Sequence, residues 1–431
     1  MKYPRAGTIG GPFPKGYGRE QTEGGVYGID AWLVRRFLHA LGDPPLRVVL
    51  WDGNEYASPA DPAAGMVIRN RASLWRLFTN PLLHFGDDYS ADRIEIEGGL
   101  VTFMEAVYRA MANKPGYRRV SDPAAYRRHQ PRLNSLTGSR ENIHHHYDLG
   151  NAFYRLWLDR EMLYTCAYYP GLAASLEEAQ VAKMELVCRK LHLKAGQTVV
   201  EAGCGWGSLA RHMARRYGVK VRAYNISREQ VAFARERARA DGVEGEVTYV
   251  EDDYRNITGT YDAFVAVGLL EHVGPDHYRE LGSVIDRCLA KDGLGLIHTI
   301  GQNISTPMSP WFLKRIFPGS YPPTLREMMD LFEPFEFTVL DVENLRLHYA
   351  KTCEHWLERF EGNRDRVREM FDESFVRAWR LYLSGCIANF RLGLLQLFQV
   401  VFSRSTNNLV PLTRDHLTPS PEESPWIPVM S

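Results

Sequence analysis

Three glycines within five residues carry the strongest chemical signal in the chain. They stand in Val199-Val200-Glu201-Ala202-Gly203-Cys204-Gly205-Trp206-Gly207, directly after an apolar run and at the mouth of an expected helix. Residues without a Cβ let the backbone turn tightly there and approach a ligand closely. A dinucleotide site would want Gly-x-Gly-x-x-Gly, and here the third glycine comes one residue early. His144, His145 and His146 invite a metal reading. Three consecutive residues do not converge easily on one ion, however, and no carboxylate–histidine spacing supports one, so no metal is expected. The six cysteines, Cys166, Cys188, Cys204, Cys288, Cys353 and Cys386, are widely scattered with no C-x-x-C pair. In a cytosolic chain that argues against both a structural zinc site and a disulfide framework.

The glycine run needs a strand before it and a helix after it, and the flanking sequence supplies both. Glu177 to Leu191 is an amphipathic helix ahead of the turn Lys194-Ala195-Gly196. Then follow Thr198 to Glu201 (strand), Leu209 to Tyr217 (helix), Val219 to Asn225 (strand) and Arg228 to Ala240 (helix). Val247 to Glu251, Ala263 to Val267 and Leu294 to Thr299 read as further strands. Such alternation favours a mainly parallel sheet covered on both faces, with ligands at the carboxyl ends of its strands.

At 431 residues the chain is too long for one compact core. Residues 1–29 are Gly-rich and are expected to form a flexible arm. Residues 30–113 read as a small α+β domain, with helices at Ala31 to Leu41 and Leu74 to Phe78. Its strands are Leu46 to Trp51, Met66 to Arg69 and Arg93 to Glu97. Residues 114–140 hold seven Lys and Arg against one Asp, punctuated by three prolines, and read as a basic linker. Residues 141–431 form the domain of the glycine run. The 52 basic residues balance the 52 acidic ones, so no global pull toward nucleic acid is expected. The apolar stretch from Leu392 to Phe402 is far shorter than the roughly 20 residues a membrane-crossing helix needs. No basic-then-apolar leader is visible at the start, so a cytoplasmic location is expected.

Glu201 and the early third glycine resemble motif I of the class I S-adenosylmethionine-dependent methyltransferases. That resemblance implies a Rossmann-like α/β fold and a site at Glu201, Gly203, Cys204, Gly205, Trp206 and Gly207. It implies further contacts from Asn225, Ile226, Ser227 and Gln230 after the second strand, where the usual ribose-binding carboxylate is missing. Asp252 or Asp253 after the third strand would accept from the adenine amino group, unless either merely caps a helix.

Longer segments narrow the resemblance. They are Asn142-Ile143-His144-His145-His146-Tyr147-Asp148-Leu149-Gly150, Met162-Leu163-Tyr164-Thr165-Cys166-Ala167-Tyr168-Tyr169 and Gly268-Leu269-Leu270-Glu271-His272-Val273-Gly274-Pro275. His298-Thr299-Ile300-Gly301, His348-Tyr349-Ala350-Lys351-Thr352-Cys353-Glu354-His355-Trp356 and Gly385-Cys386-Ile387-Ala388-Asn389-Phe390-Arg391 follow in order, then Gln396 and Gln399. Together they resemble the cyclopropane-fatty-acyl-phospholipid synthases from about residue 141 to 404. The stretch from Gly42 to Gly53 and Phe85-Gly86-Asp87-Asp88-Tyr89 is similar to their small N-terminal domain.

The resemblance implies methylene transfer from S-adenosylmethionine to the cis double bond of an unsaturated phospholipid acyl chain, through a carbocation deprotonated by bound bicarbonate. Cys166, Glu271, His298 and Tyr349, with the Ile300 backbone, match the residues that hold that anion. Glu271 is expected to be protonated or coupled to His298, and His272 to be a structural partner. Cys386 matches a cysteine often named in the active site and reads as a lining group. Tyr164 and Thr165 fall beside the cofactor. A carbocation needs a dry, aromatic lining, for which Tyr147, Phe153, Tyr164, Tyr168, Tyr169, Trp311 and Phe312 are candidates.

The domain 30–113 would help seat the lipid, and the C-terminal additions are expected to be helical. A peripheral position on the inner face of the membrane and a homodimer are expected by the same likeness, and the basic linker could provide an electrostatic foot. A methyl- or methylene-branched product shares every upstream step and stays open on motifs alone. A non-catalytic lipid-binding scaffold and a methyltransferase for soluble substrates or nucleic acid are the rivals from other classes.

Overall fold

The computed structural model of the protein describes residues 28–58, 61–113 and 149–417. The chain divides into two compact units, the division falling after Tyr117. The expected arm lies almost wholly outside the described residues, as do the basic linker, the His144–His146 run and Tyr147.

In the first unit, β1 (Leu46–Leu50) pairs antiparallel with β2 (Glu55–Ala57) and parallel with β3 (Ala64–Ile68), which pairs antiparallel with β4 (Ile94–Glu97). Helices Ile29–Ala40, Arg71–Thr79, Pro81–Ser90 and Leu100–Asn113 accompany this sheet. Pro81–Ser90 and Leu100–Asn113 escape the sequence pattern, although Asn80 followed by Pro81 is a helix-start signal and the Asn80 side chain does accept from the Leu83 N–H. Asp88, fully buried, is held by Arg76 and Arg93, so the Asp at that position serves this unit's own packing.

The second unit is built on a seven-stranded sheet among the described residues. Its central strands are β5 (Thr198–Ala202), β6 (Lys220–Asn225), β7 (Val247–Glu251), β8 (Tyr261–Val267) and β9 (Leu289–Gly301). They run parallel in the order β9-β8-β5-β6-β7. Two strands absent from the sequence reading, β10 (Phe337–Asn344) and β11 (Gln396–Arg404), extend the sheet antiparallel beside β9. The C-terminal part is therefore not only helical. Helices Arg346–Gly362, Arg364–Met370 and Glu373–Leu392 form an excursion between β10 and β11.

Successive side chains of each strand enter opposite cores. Val199, Val221, Val265 and Leu296 pack with Met184, Val187, Leu209, Met213 and Val231 on one face. Val200, Phe264, Ile297 and Val400 pack with Tyr278, Leu281, Ile285 and Phe332 on the other. Burial on both faces explains why these strands read as unbroken apolar runs. Helix Leu176–Lys190 begins at a capping box in which Ser175 and Glu178 satisfy each other's backbone N–H.

Candidate functional site

The turn after β5 is made by three glycines in backbone conformations that L residues avoid, with φ of 81°, 51° and 79° at Gly203, Gly205 and Gly207. The N–H groups of Gly203 and Cys204 both donate to the Tyr224 carbonyl, which ties the turn to β6. At Gly207 no side chain fits. A Cβ there would lie 2.5 Å from a Tyr249 ring carbon and 2.7 Å from the Ala234 Cβ, while the Tyr249 hydroxyl donates to the Gly207 carbonyl.

Over this turn lies a cavity at the carboxyl ends of β5, β6 and β8. Its wall includes Tyr164, Thr165, Glu201, Gly203, Cys204, Gly205, Trp206, Asn225, Ile226, Gln230, Asp252 and Asp253. Two expected contacts are absent from that wall, for physical reasons. Gly207 is packed under Tyr249, and Ser227 caps helix Arg228–Ala240 by accepting from the Gln230 N–H. Asn225 donates to the Gly205 carbonyl at 3.1 Å and to Gln230 Oε1 at 2.8 Å. That leaves the buried Gln230 Nε2 without a partner.

The two neighbouring aspartates differ. Asp253 caps the short turn Tyr254–Asn256 and pairs with Arg255 at 3.1 Å. Asp252 uses one oxygen on the Asp253 N–H and on Asn256 Nδ2. Its second oxygen thus makes Asp252 the better of the two for a ligand amine.

Lys183 and His272 are titratable lining residues that sequence reasoning did not assign to the cofactor site. Lys183, fully buried in helix Leu176–Lys190, donates to Thr165 Oγ1 at 2.9 Å. Gln180 of the same helix holds the Thr165 and Leu163 carbonyls. Burial lowers the Lys183 ammonium to about 8 against the opposing pull of Asp159, Cys166 and Glu201. Burial likewise raises Glu201 to about 7 and Asp159 to about 6. An amphipathic pattern marks such a helix without marking which lysine turns inward. His272, expected to be only structural, faces the cavity, and burial lowers its imidazole to about 4.

Cys166, Glu271, His298 and Tyr349 are not on this wall, which instead holds Thr165 and His272, adjacent in the chain to Cys166 and Glu271, and Gly268, whose N–H donates to the His298 carbonyl. All four are buried. Glu271 Oε1 accepts from the Ile300 N–H at 2.6 Å, so that N–H is already committed, and Oε2 has no partner. Burial raises Glu271 to about 7. His298 Nδ1 accepts from Gln399 Nε2 at 2.9 Å, the ring makes no hydrogen bond to Glu271, and its Nε2 is likewise unpartnered. Burial, then Lys183 and Lys190, hold the His298 imidazole well below its usual range. The Cys166 thiol donates to the Ala167 carbonyl and is pushed up by burial. Tyr349 stacks on Phe390, and its phenol is raised by burial and by Cys353, Tyr382, Cys166 and Glu271 around it. Cys386, outside the cavity wall, sits by Cys353 and Tyr382.

Aromatic groups are dense here, but the proposed lining divides. Tyr164 is on the wall, its hydroxyl 2.8 Å from that of Tyr382, with Phe317 and Phe312 next to Tyr382. Phe153 instead packs into a core with Trp157, Phe371, Phe375 and Trp379. Tyr168 stacks on His348, and Tyr169 takes Lys351 over its ring. Those three aromatics serve packing.

Comparison with known proteins bears on the family and the fold. The chain is 33% identical over 368 residues to a probable fatty acid methyltransferase of Pseudomonas putida, covering 83% of this chain and 91% of the relative. It is 40% identical over 270 residues to the cyclopropane-fatty-acyl-phospholipid synthase of Escherichia coli K12, covering 62% and 69%. Among solved structures, mycolic acid cyclopropane synthase CmaA1 complexed with SAH and CTAB superposes with a TM-score of 0.59 at 28% identity, over 64% of this chain and 99% of that one. A family described only as a domain of unknown function matches residues 33–114. Because the model of the mycolic acid cyclopropane synthetases matches residues 134–400, more than half of its length, the chain belongs to that family, with the class I S-adenosylmethionine-dependent methyltransferase fold.

Proposed function

We propose that the protein transfers a methylene group from S-adenosylmethionine to the cis double bond of an unsaturated phospholipid acyl chain and closes a cyclopropane ring. The observation that carries this reading is the pair of buried, unpartnered polar atoms, Glu271 Oε2 and His298 Nε2, behind the wall of the cofactor cavity. Each such group calls for a partner, and here, beside the cavity and on residues of matching chemistry, a small hydrogen-bonding ligand would supply one.

The cofactor fits the cavity. The Gly203–Gly205 turn admits a close approach, Glu201 lies in reach of an ammonium, and the free Gln230 Nε2 and Asp252 oxygen suit a ribose and an adenine amine. Bound S-adenosylmethionine supplies the sulfonium methyl. Bicarbonate fits the second place, and when bound it supplies the base for the proton that leaves on ring closure. Since Glu271 Oε1 is committed to Ile300, the proton of the neutral acid sits on Oε2 and is offered as a donor. An ionised Glu271 would repel the anion, so the elevated Glu271 value suits the site. Cys166 and Tyr349 complete the enclosure, while Tyr164, Phe312, Phe317 and Tyr382 supply aromatic faces that exclude water and stabilise positive charge.

A second reading is favoured by the Pseudomonas putida relative, whose name gives a fatty acid methyltransferase and mentions no ring: the same transfer ending in a branched chain. The test is to incubate the full chain with S-adenosylmethionine, bicarbonate and vesicles of unsaturated phospholipid. A mass gain of one methylene with upfield ring-methylene proton signals is expected. The same mass gain without those signals overturns ring closure in favour of branching. No gain, with S-adenosylhomocysteine failing to raise the melting temperature, would point to a scaffold.

A further inference from the structure

Three directly opposed residues cross the sheet behind the site. Glu343 of β10 faces Gln399 of β11, which in turn faces His298 of β9. Side chains so opposed share one face and touch. Lys190, at the end of helix Leu176–Lys190, bridges this row from above. Its Nζ donates to Glu343 at 2.6 Å and to Gln399 Oε1 at 2.8 Å, with Asp341 3.9 Å away. Gln399 Nε2 then lies 2.9 Å from His298 Nδ1. Lys190, Gln399 and His298 are all buried, so water does not stand in for any member of the row.

The donor and acceptor inventory of this row admits one arrangement. An ammonium only donates, so the Gln399 carbonyl must face it, and the amide NH2 must face the histidine. Turning the amide over would set its NH2 against the ammonium. The NH2 only donates, so His298 Nδ1 must be a bare acceptor, and the single proton of the neutral ring is on Nε2. Nε2 is the atom that the fold leaves buried without a partner.

We infer that Lys190 and Gln399 are positioning residues that lock His298 in the Nε2–H tautomer, so that it can only donate a hydrogen bond into the site and selects a small anion there. This deepens the proposed function, since it rests on the anion place read above. It also assigns His298 a part that excludes proton abstraction: its one basic nitrogen is turned away, toward Gln399. The charged and titratable groups facing the ring agree, since Lys183 and Lys190 both oppose an imidazolium. Glu343 and Asp341 lie on the far side of Lys190, where they compensate the ammonium rather than the ring.

The test is nitrogen NMR of the full chain with labelled histidine, with His298→Gln used to assign the ring. The expected result at neutral pH is a bare Nδ1 and a protonated Nε2. Gln399→Glu presents an acceptor to Nδ1 and should bring a proton onto it. If that variant fails to fold, Lys190→Met frees the amide to turn and should give both tautomers in exchange. A proton on Nδ1 in the unaltered protein, or an unchanged ring in the variant that folds, overturns the lock. Turnover against added bicarbonate is read separately. A locked ring with turnover indifferent to bicarbonate rejects the anion reading alone, and a bicarbonate requirement with an Nδ1–H ring rejects the lock alone.

Discussion

The cofactor cavity and the buried place behind it are made by opposite means. The cavity is shaped by a contiguous stretch of backbone: Gly203, Gly205 and Gly207 turn in conformations that other residues resist, and β6 pins them through the Tyr224 carbonyl. The anion place proposed behind it draws on side chains from distant segments, with Cys166, Glu271, His298 and Tyr349 each on a different element. The electrostatics diverge as well. Glu201 and Glu271 are both raised to about 7 by burial, yet Lys183 and Arg211 pull Glu201 down, whereas hydrogen bonds alone do so for Glu271. A carboxyl with a cation nearby suits a cationic ligand that comes and goes. One without a cation suits an anion that needs a proton held against it.

Glu271 is where that contrast breaks most sharply. Glu271→Leu removes both the acceptor for Ile300 and the Oε2 donor, and should lower turnover about a hundredfold or more, the range for losing a donor aimed at a reacting anion. Glu271→Gln keeps a donor at that position and should stay within about tenfold at neutral pH. Turnover of the unaltered protein should fall as pH rises through about 7, while Glu271→Gln loses that limb. Stability carries the same sign. A carboxyl whose folded value lies above its ordinary 4.5 keeps its proton longer when folded, so it favours the fold at low pH and loses that favour between 4.5 and about 7. Relative to the unaltered protein, Glu271→Gln should gain about 3 kcal/mol in denaturant unfolding on going from pH 4.5 to 8. A pH-independent difference would show that Glu271 is ionised in the fold.

On the cavity side the largest effect is expected at Gly207. Gly207→Ala adds a left-handed backbone penalty of about 1 kcal/mol to an overpacking cost of about 1–3 kcal/mol against Tyr249 and Ala234. Denaturant unfolding should show the loss, and S-adenosylhomocysteine should bind more weakly. Unfolding unchanged by the substitution would mean the turn is free to move.

This division also explains what the sequence showed. The glycine turn and strands β5 to β9 were legible because local rules govern them: apolar runs bounded by turns, and Gly where φ must be positive. The strand β11 was not, because burial on both faces gives Gln396 to Arg404 no alternation, and the surrounding apolar stretch yields only a length. The strand β10 does alternate, but its partner comes after three intervening helices. Ser227 three residues ahead of Gln230 is a helix-start pattern that the ligand reading overlooked. Lys183 has no local signature, since its inward turn depends on Thr165, Asp159 and Glu201, which only the fold brings near.

Asp252 and Asp253 sharpen the contrast within two adjacent residues. Asp252→Asn should weaken S-adenosylhomocysteine binding by roughly tenfold, the effect of replacing a charged hydrogen-bond partner, with little change in unfolding. Asp253→Asn should do the reverse, costing about 1 kcal/mol of stability through the cap and the Arg255 pair. Calorimetric titration and denaturant melts separate the two, and equal effects on both would erase the distinction between ligand and structural carboxylate.

Tyr164 belongs to both regions and should show the smallest effect. Its ring lines the cavity, and its hydroxyl is shared with Tyr382, beside Cys386 and Phe312. Tyr164→Phe keeps the ring against Trp157 and Trp356 and removes one hydrogen bond, so denaturant unfolding should lose about 1 kcal/mol. Turnover should change by no more than about tenfold, since the aromatic face that excludes water is retained, and cofactor affinity should stay near that of the unaltered protein. A hundredfold loss of turnover would instead place the Tyr164 hydroxyl among the groups that touch the reacting atoms. The wall between the two places would then itself take part in the chemistry.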